Sequence, residues 1–409
     1  MTAGLKDKKI LEIAEKTLRI YNLCDHCLGR LFSKIGNGLN NKERGNRLRK
    51  HLKQYQTVKL GNCWLCSGLV GELQHFANLI SESLEEYDFE TFLVGTKIDD
   101  DILDKEKELL DFTGSEYAEP IKNELKKEIG KILEDKLNKE VNFEKPTIMA
   151  IIDTSFDVVS LQIKSLFIYG RYNKNIRGIP QTRWFCRICR GKGCRKCDYT
   201  GKMYETSVEE LVAEKTLEVT KGSGESFHGC GREDIDALML GKGRPFVLEI
   251  KDPKIRNLDL TKLGRKINIH GKGKIKVANL RFSDMNEIAR LKAANFRKTY
   301  RIVLIGEKII NKEKLKKVAQ ALQDKTISQF TPSRVARRRA NMIRERKIHS
   351  CNVGSVDGSM ATLTIEAESG TYIKELISGD DGRTRPSISE MIGVPCKVAE
   401  LDVIEIKGE

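Results

Sequence analysis

Apolar residues recur at helical spacing over residues 5–20, where Ile10, Leu11, Ile13, Ala14 and Leu18 fall on one face. GNGLNNKERGNRLRKHLKQY holds a turn followed by a basic helix capped by Asn40 or Asn41, and residues 70–85 are helical again. TFLVGTKI, 91–98, reads as a strand. Residues 103–139 are Lys/Glu-rich and helical, most of their charge forming a solvated face with i,i+4 pairs. PTIMAIID and SLQIKSLFIYGRY read as two strands, so the alternation predicts a small α/β domain ending near residue 180. After 203 the texture changes. The pattern predicts a helix at 206–215, a Gly-rich turn, strands near 245–250, 263–270 and 274–282, and a helix at 284–296. TYRIVLIGEK is a strand, NKEKLKKVAQALQDK is a helix with an apolar stripe, and strands near 351–356 and 361–368 precede a closing KVAELDVIEI. Many strands without a βαβα rhythm predict an α+β fold on a largely antiparallel sheet.

The length of 409 residues fits two or three domains. No apolar run approaches the roughly 18 residues a spanning helix needs, and MTAGLKDKKILEIAEK lacks a secretory h-region. The expectation is a cytoplasmic protein with no membrane partner. A net charge of +15 favours a polyanionic partner, nucleic acid first. Between Arg334 and Lys347, seven basic residues (Arg334, Arg337, Arg338, Arg339, Arg344, Arg346, Lys347) face one acid, Glu345. Thr331, Pro332 and Ser333 fit a helix start, so the segment reads as a basic helix contacting phosphates.

Eight of the eleven cysteines form four CxxC pairs, an arrangement that favours metal over disulfides. Proximity groups Cys24 and Cys27 with Cys63 and Cys66, and Cys186 and Cys189 with Cys194 and Cys197. Each set suits one tetrahedral zinc, and four thiolates leave no open position for catalysis. An iron–sulfur cluster, a different pairing of the turns, and His26 as a substitute ligand are the alternatives. Nucleotide-binding glycine loops, HExxH and GxSxG are absent. SFHGCGREDIDALMLGKGRPFVLEI, 226–250, places acids at 233, 234 and 236 in a glycine-punctuated loop flanked by Arg232 and Arg244. Spacing alone is compatible with a turn bearing solvated acids.

GREDIDALMLGKGRPF resembles the catalytic motif of RNA pseudouridine synthases, in which GRxD carries the essential aspartate. SLFIYGRYNKNIRGIPQTRW, the CxxC knuckle with YETSVEEL after it, KTYRIVL, TPSRVARRRA and GTYIKELISGDDGRTRPS resemble, in order, the archaeal-type tRNA synthases that modify uridines 54 and 55. The resemblance implies a helical zinc segment (1–75), a THUMP-like RNA-binding domain (76–182), a zinc knuckle (183–203) and a synthase domain (204–409). It implies tRNA as partner, zinc as a structural ion and no organic cofactor; a monomer is the default expectation. Asp234 would be the nucleophile and Tyr300 the ring that holds the base and helps remove its C5 proton. Lys374 stands where many synthases have Arg. Tyr372 would be a second candidate for base contact, Arg232 would occupy the space the flipped nucleotide vacates, and Arg334, Arg337, Arg338 and Arg339 would contact the RNA backbone. The competing expectation is a non-catalytic zinc-dependent RNA-binding protein or RNA chaperone that keeps GRED as a relic.

Overall fold

The computed structural model describes residues 4–53, 55–336 and 340–408. The chain divides into two compact units, Met1–Lys164 and Ser165–Glu409.

The first unit runs α1 (Lys8–Ile20), α2 (Asp25–Arg30), α3 (Asn41–Leu52), α4 (Leu73–Leu84), β1 (Thr91–Lys97), α5 (Asp100–Thr113), α6 (Ile121–Leu137), β2 (Glu140–Val141), β3 (Ile148–Asp153) and β4 (Val158–Ile163). Its sheet has the order β2-β1-β3-β4, with β1 parallel to both neighbours and β4 antiparallel. Period-two burial turns Phe92 and Val94 of β1 and Ile148, Ala150 and Ile152 of β3 toward Leu125, Ile129 and Leu133 of α6. Asn40 is the cap of α3: its Oδ1 accepts from the Glu43 amide at 2.8 Å while the Glu43 carboxylate accepts from the Asn40 amide at 3.1 Å. Helices α2 and α3 touch backbone to backbone. A Cβ on Gly29 would lie 1.8 Å from the Asn41 carbonyl oxygen, and one on Gly45 1.9 Å from that of Asp25.

The second unit contains β5 (Leu166–Lys174), α7 (Val208–Thr220), β6 (Gly224–Gly229), β7 (Leu238–Lys251), α8 (Leu260–His270), β8 (Ile275–Ser283), α9 (Met285–Ala293) and β9 (Arg297–Gly306). It continues through α10 (Lys312–Leu322), β10 (Thr326–Phe330), β11 (Ile343–Asp357), β12 (Met360–Ala367), α11 (Ile373–Ser378), β13 (Thr384–Arg385), α12 (Ile388–Ile392) and β14 (Cys396–Lys407). The sheet order is β13-β10-β11-β12-β9-β14-β7-β5-β8, with β6 also on β7. Its pairings are antiparallel except β14 with β7, which is parallel and only two residues long, Asp402 opposite Leu238 and Val403 opposite Met239. That joint links two half-sheets, and Asp402 pins it. Its buried carboxylate lies 2.8 Å from Arg177, 2.8 Å from Arg301 and accepts the Leu238 amide at 3.2 Å.

Three sequence expectations change. SLFIYGRY belongs to β5, which pairs with β7 and β8 in the large sheet, so the first unit ends at Lys164 and not near 182. Residues 263–270 are helical: Leu263 and Ile267 bury one face, and the Asp259 side chain accepts the Lys262 amide. The basic stretch is not a helix. Ser333–Val335 form a single 3₁₀ turn, and Arg344 and Arg346 lie on β11 opposite Gln329 and Ile327 of β10. Arg337, Arg338 and Arg339 lie outside the described residues.

Candidate active site and metal centres

The GRED segment is the turn between β6 and β7. Gly231 has φ +75, and a Cβ there would sit 3.2 Å from Arg244 Nη1 and 3.3 Å from Lys298 Nζ, so glycine lets the turn descend onto two cations. Glu233 is its buried anchor. Tyr172 on β5 donates its hydroxyl to both carboxylate oxygens at 2.9 and 2.8 Å, and Arg244 on β7 donates Nε at 2.8 Å. Gln181 donates to the Tyr172 oxygen at 2.7 Å and to the Gly231 carbonyl at 3.0 Å. Lys174, wholly buried at the end of β5, donates to the carbonyls of Ile179, Asp234 and Ile235 at 3.0, 3.1 and 3.1 Å. Burial pushes its pKa down, against the pull of the nearby acids led by Glu233.

This scaffold presents Asp234, 38% exposed, to residues from the other half-sheet. Lys374 Nζ on α11 lies 3.2 Å from Asp234 Oδ2, and Arg334 Nη1 lies 3.8 Å from Oδ1. Lys374 also donates to both oxygens of Asp236, at 2.9 and 3.2 Å. Burial works against its charge, but the Asp236 hydrogen bond and the charge of Asp234 outweigh it, and its pKa rises. Asp236, the acid that sequence alone could confuse with Asp234, thus orients the lysine. Arg334 is held by Glu375, with Nε donating at 2.7 Å, and approaches Asp234 from that anchor. Tyr300 lies buried on β9. Burial first, then the charge of Asp234, pushes its phenol up to about 12.

Tyr372 caps α11. Its amide donates to Gln329 Oε1 at 2.8 Å and its carbonyl accepts from Gln329 Nε2 at 2.9 Å, so the buried Gln329 fixes the turn that carries Lys374. Arg232 is exposed and stacks over Trp184, 4.9 Å from the ring centroid. Sequence reasoning did not assign roles to Lys174, Glu233, Tyr172, Gln181 or Lys298. The only signal was their position, charged or polar groups at the ends of apolar strands or inside the GRED turn.

Two cysteine groups assemble as grouped by proximity. Cys24, Cys27, Cys63 and Cys66 are all buried, and Cys186, Cys189, Cys194 and Cys197 are partly so. The sulfurs of each group lie within 4.8 Å of one another, with closest pairs such as Cys24–Cys66 at 3.9 Å and Cys189–Cys197 at 3.8 Å. A tetrahedral ion with metal–sulfur bonds of about 2.3 Å sets its ligands about 3.8 Å apart, so each group fits one ion such as zinc. Backbone amides complete both cradles: Cys24 N donates to Cys63 Sγ at 3.2 Å and Gly201 N to Cys197 Sγ at 3.3 Å. Hydrogen bonds from Cys24 and Cys27 pull the Cys63 thiol pKa down, favouring thiolate. His26 lies outside the group of converging ligand atoms, and its Nδ1 is 3.0 Å from Glu124 Oε1.

Comparison with known proteins agrees with this layout. The family described as "Pus10, C-terminal" matches residues 167–407, and that described as "Pus10 THUMP domain, archaeal" matches residues 76–153. Three proteins named tRNA pseudouridine synthase Pus10 are similar along almost their whole length. That of Methanothermobacter marburgensis is 44% identical over 94% of this chain and 95% of its own. That of Methanocaldococcus jannaschii is 42% identical over 95% and 93%, and that of Methanothrix thermoacetophila 38% over 98% and 95%. With a GRED turn facing a lysine in a mixed-sheet domain, and a THUMP region ahead of it, the chain belongs to the Pus10 family of pseudouridine synthases, a family of isomerases.

Proposed function

We propose that the chain isomerises uridines 54 and 55 in the tRNA T-loop to pseudouridine, with Asp234 as nucleophile. One observation carries this reading. Asp234 lies in the turn that leads into β7 and Lys374 on α11, which follows β12, so chain segments far apart in sequence bring the lysine ammonium to 3.2 Å from the GRED carboxylate. A relic turn in an RNA-binding protein or RNA chaperone has no need of that meeting.

The target nucleotide leaves its stack to reach the carboxylate. Asp234 attacks C1′ and the N1–C1′ bond breaks. The uracil turns, C5 bonds to C1′ as the aspartate departs, and loss of the C5 proton with reprotonation at N1 completes the isomer. No atom or electron is gained, so no organic cofactor is required. Lys374 and Arg334 hold the Asp234 carboxylate aimed at the nucleoside. The Tyr300 phenol stays protonated at neutral pH, so it accepts the C5 proton only while passing its own onward. Tyr372 contacts the flipped base, Arg232 occupies the space that the flipped nucleotide vacates, and Arg334, Arg337, Arg338 and Arg339 contact RNA phosphates. Zinc occupies both cysteine groups and holds structure. Residues 76–164 carry the THUMP role, and the protein acts as a monomer.

The test is pseudouridine formation on an unmodified tRNA transcript, mapped by position, for wild type and Asp234→Asn. Wild type converts T-loop uridines, and the variant binds the RNA within about threefold and converts none. If neither converts any uridine in metal-replete conditions, the RNA-binding reading replaces this one.

A further inference from the structure

The zinc knuckle of the second unit turns apolar rings outward. Phe185 and Lys202 close its base as an isolated antiparallel bridge, and the Cys186 amide donates to the Gly201 carbonyl at 2.7 Å. With four sulfurs pointing inward, the intervening side chains face solvent. Phe185 is 55% exposed, Ile188 64% and Tyr199 72%. Tyr199 also has φ +62, in the left-handed region that a bulky residue rarely occupies. Its amide is held there by the Cys194 carbonyl at 2.9 Å. An aromatic ring displayed from a backbone that favours glycine serves neither the knuckle's turn nor its core.

The charge around these rings has one sign. Between 183 and 202 there are seven basic residues and one acid, Asp198. Arg183 and Lys202 are paired with Glu210, and Arg183 also with Glu225. Among the described residues, Arg187, Arg190, Lys192, Arg195 and Lys196 form no ion pair. Exposed rings amid unpaired cations match unpaired RNA, whose bases stack on aromatic faces while its phosphates are neutralised. The knuckle also adjoins the catalytic turn. Trp184, next to Phe185, carries Arg232 on its face and packs edge-on against Tyr204 at 5.6 Å.

We infer that the knuckle is a stacking platform for unpaired nucleotides of the substrate RNA outside the flipped uridine, with Tyr199 and Phe185 as the rings. This deepens the RNA-modifying reading above and rests on it for the identity of the RNA. It reads base faces and so tolerates any base sequence.

The experiment uses zinc-loaded full-length protein and two probes, an oligouridine pentamer and the tRNA transcript. Tyr199→Gly removes the ring and relaxes the backbone, so folding is preserved, and zinc content verifies the knuckle. Pentamer affinity falls about tenfold, as expected for one base stack of about 1–3 kcal/mol, and Phe185→Ala adds a further loss. Tyr199→Trp retains affinity, and the pentamer quenches the new indole's fluorescence beyond what it does to wild type. Lys192→Ala lowers the salt dependence of binding instead. Unchanged pentamer and tRNA affinity in a zinc-replete Tyr199→Gly, Phe185→Ala double variant overturns the inference, as does an unquenched indole at position 199. A wild type that makes no pseudouridine while Tyr199→Gly still weakens pentamer binding overturns the synthase reading and leaves the platform standing.

Discussion

Arg244→Met tests whether the GRED turn rests on its buried ion pair. Arg244 and Glu233 side chains are 1% and 0% exposed, with Nε and Oε2 2.8 Å apart. Removing one partner of such a pair costs about 3–5 kcal/mol, because the other charge is left in a poor solvent. The Tyr172 hydroxyl still donates to Glu233, which points to the lower end, about 3 kcal/mol. The Cys230 carbonyl loses its Nη1 donor, at 2.8 Å, which adds about 1 kcal/mol. For a unit of this size each kcal/mol moves Tm by about 2–4 °C, so the expected drop is roughly 8–16 °C. Glu233→Gln in the same chain removes the stranded charge and keeps a partner for Tyr172. The double variant therefore recovers about 2 kcal/mol, a coupling a double-mutant cycle resolves. The assay is urea unfolding of a Trp64→Phe background, in which Trp184 is the remaining tryptophan and reports on the second unit. A loss under about 1 kcal/mol for Arg244→Met, or a double variant no more stable than the single, refutes the reasoning.

Further outcomes follow from the same contacts. Lys298, buried beside Arg244, is pushed down to about 8, chiefly by burial. Its folded pKa lies below its unfolded one of 10.5, so the unfolded chain binds the extra proton between those values and stability from this group rises from pH 8 to 10.5. Wild type gains on the order of 3 kcal/mol over that window relative to Lys298→Met, measured by urea titration at each pH; parallel pH profiles sink the idea. Gly45→Ala and Gly29→Ala drive a methyl into a facing backbone carbonyl, so each destabilises the first unit by about 3 kcal/mol or more. Circular dichroism melts that match wild type would contradict this. Metal analysis should give two zinc ions per chain and one after either Cys27→Ser or Cys189→Ser. Cys27→Ser lowers the melting temperature more, because its group sits in the first unit's core while the knuckle sulfurs lie near the surface.

The cysteine groups were legible because each CxxC is a local turn and the partner turns follow the chain order. The α+β class was legible from strand texture. Sequence could not place β5, whose apolar run is equally suited to either unit; pairing with β7 and β8 decides, and those residues are far along the chain. Residues 263–270 read as a strand because KINIH alternates, yet Leu263 and Ile267 are four apart and bury a helical face. The Arg334–Lys347 stretch reads as a basic helix because Thr331, Pro332 and Ser333 fit a helix start, but β10 recruits residues 343–347 into a ladder. At the candidate active site the family resemblance names Asp234, Tyr300 and Lys374. Spacing groups Glu233 with the solvated acids of the loop, whereas its burial depends on Tyr172 and Arg244 arriving from two strands.

Under the proposed mechanism, the narrow joint between the half-sheets has a consequence for how activity is switched on. Asp234 enters from the β5–β8 half, while Tyr300 and Lys374 enter from the other, and β14 must lie between them before Leu238 and Asp402 can meet. A chain cut between β8 and β9 would yield two fragments, one holding a carboxylate without its lysine and the other a lysine without its carboxylate. Neither fragment could attack a nucleoside, and mixing them would restore chemistry only as β14 docks. On that mechanism, reactivity toward RNA is withheld until the joint of the second unit has closed, and so certifies that this unit has folded.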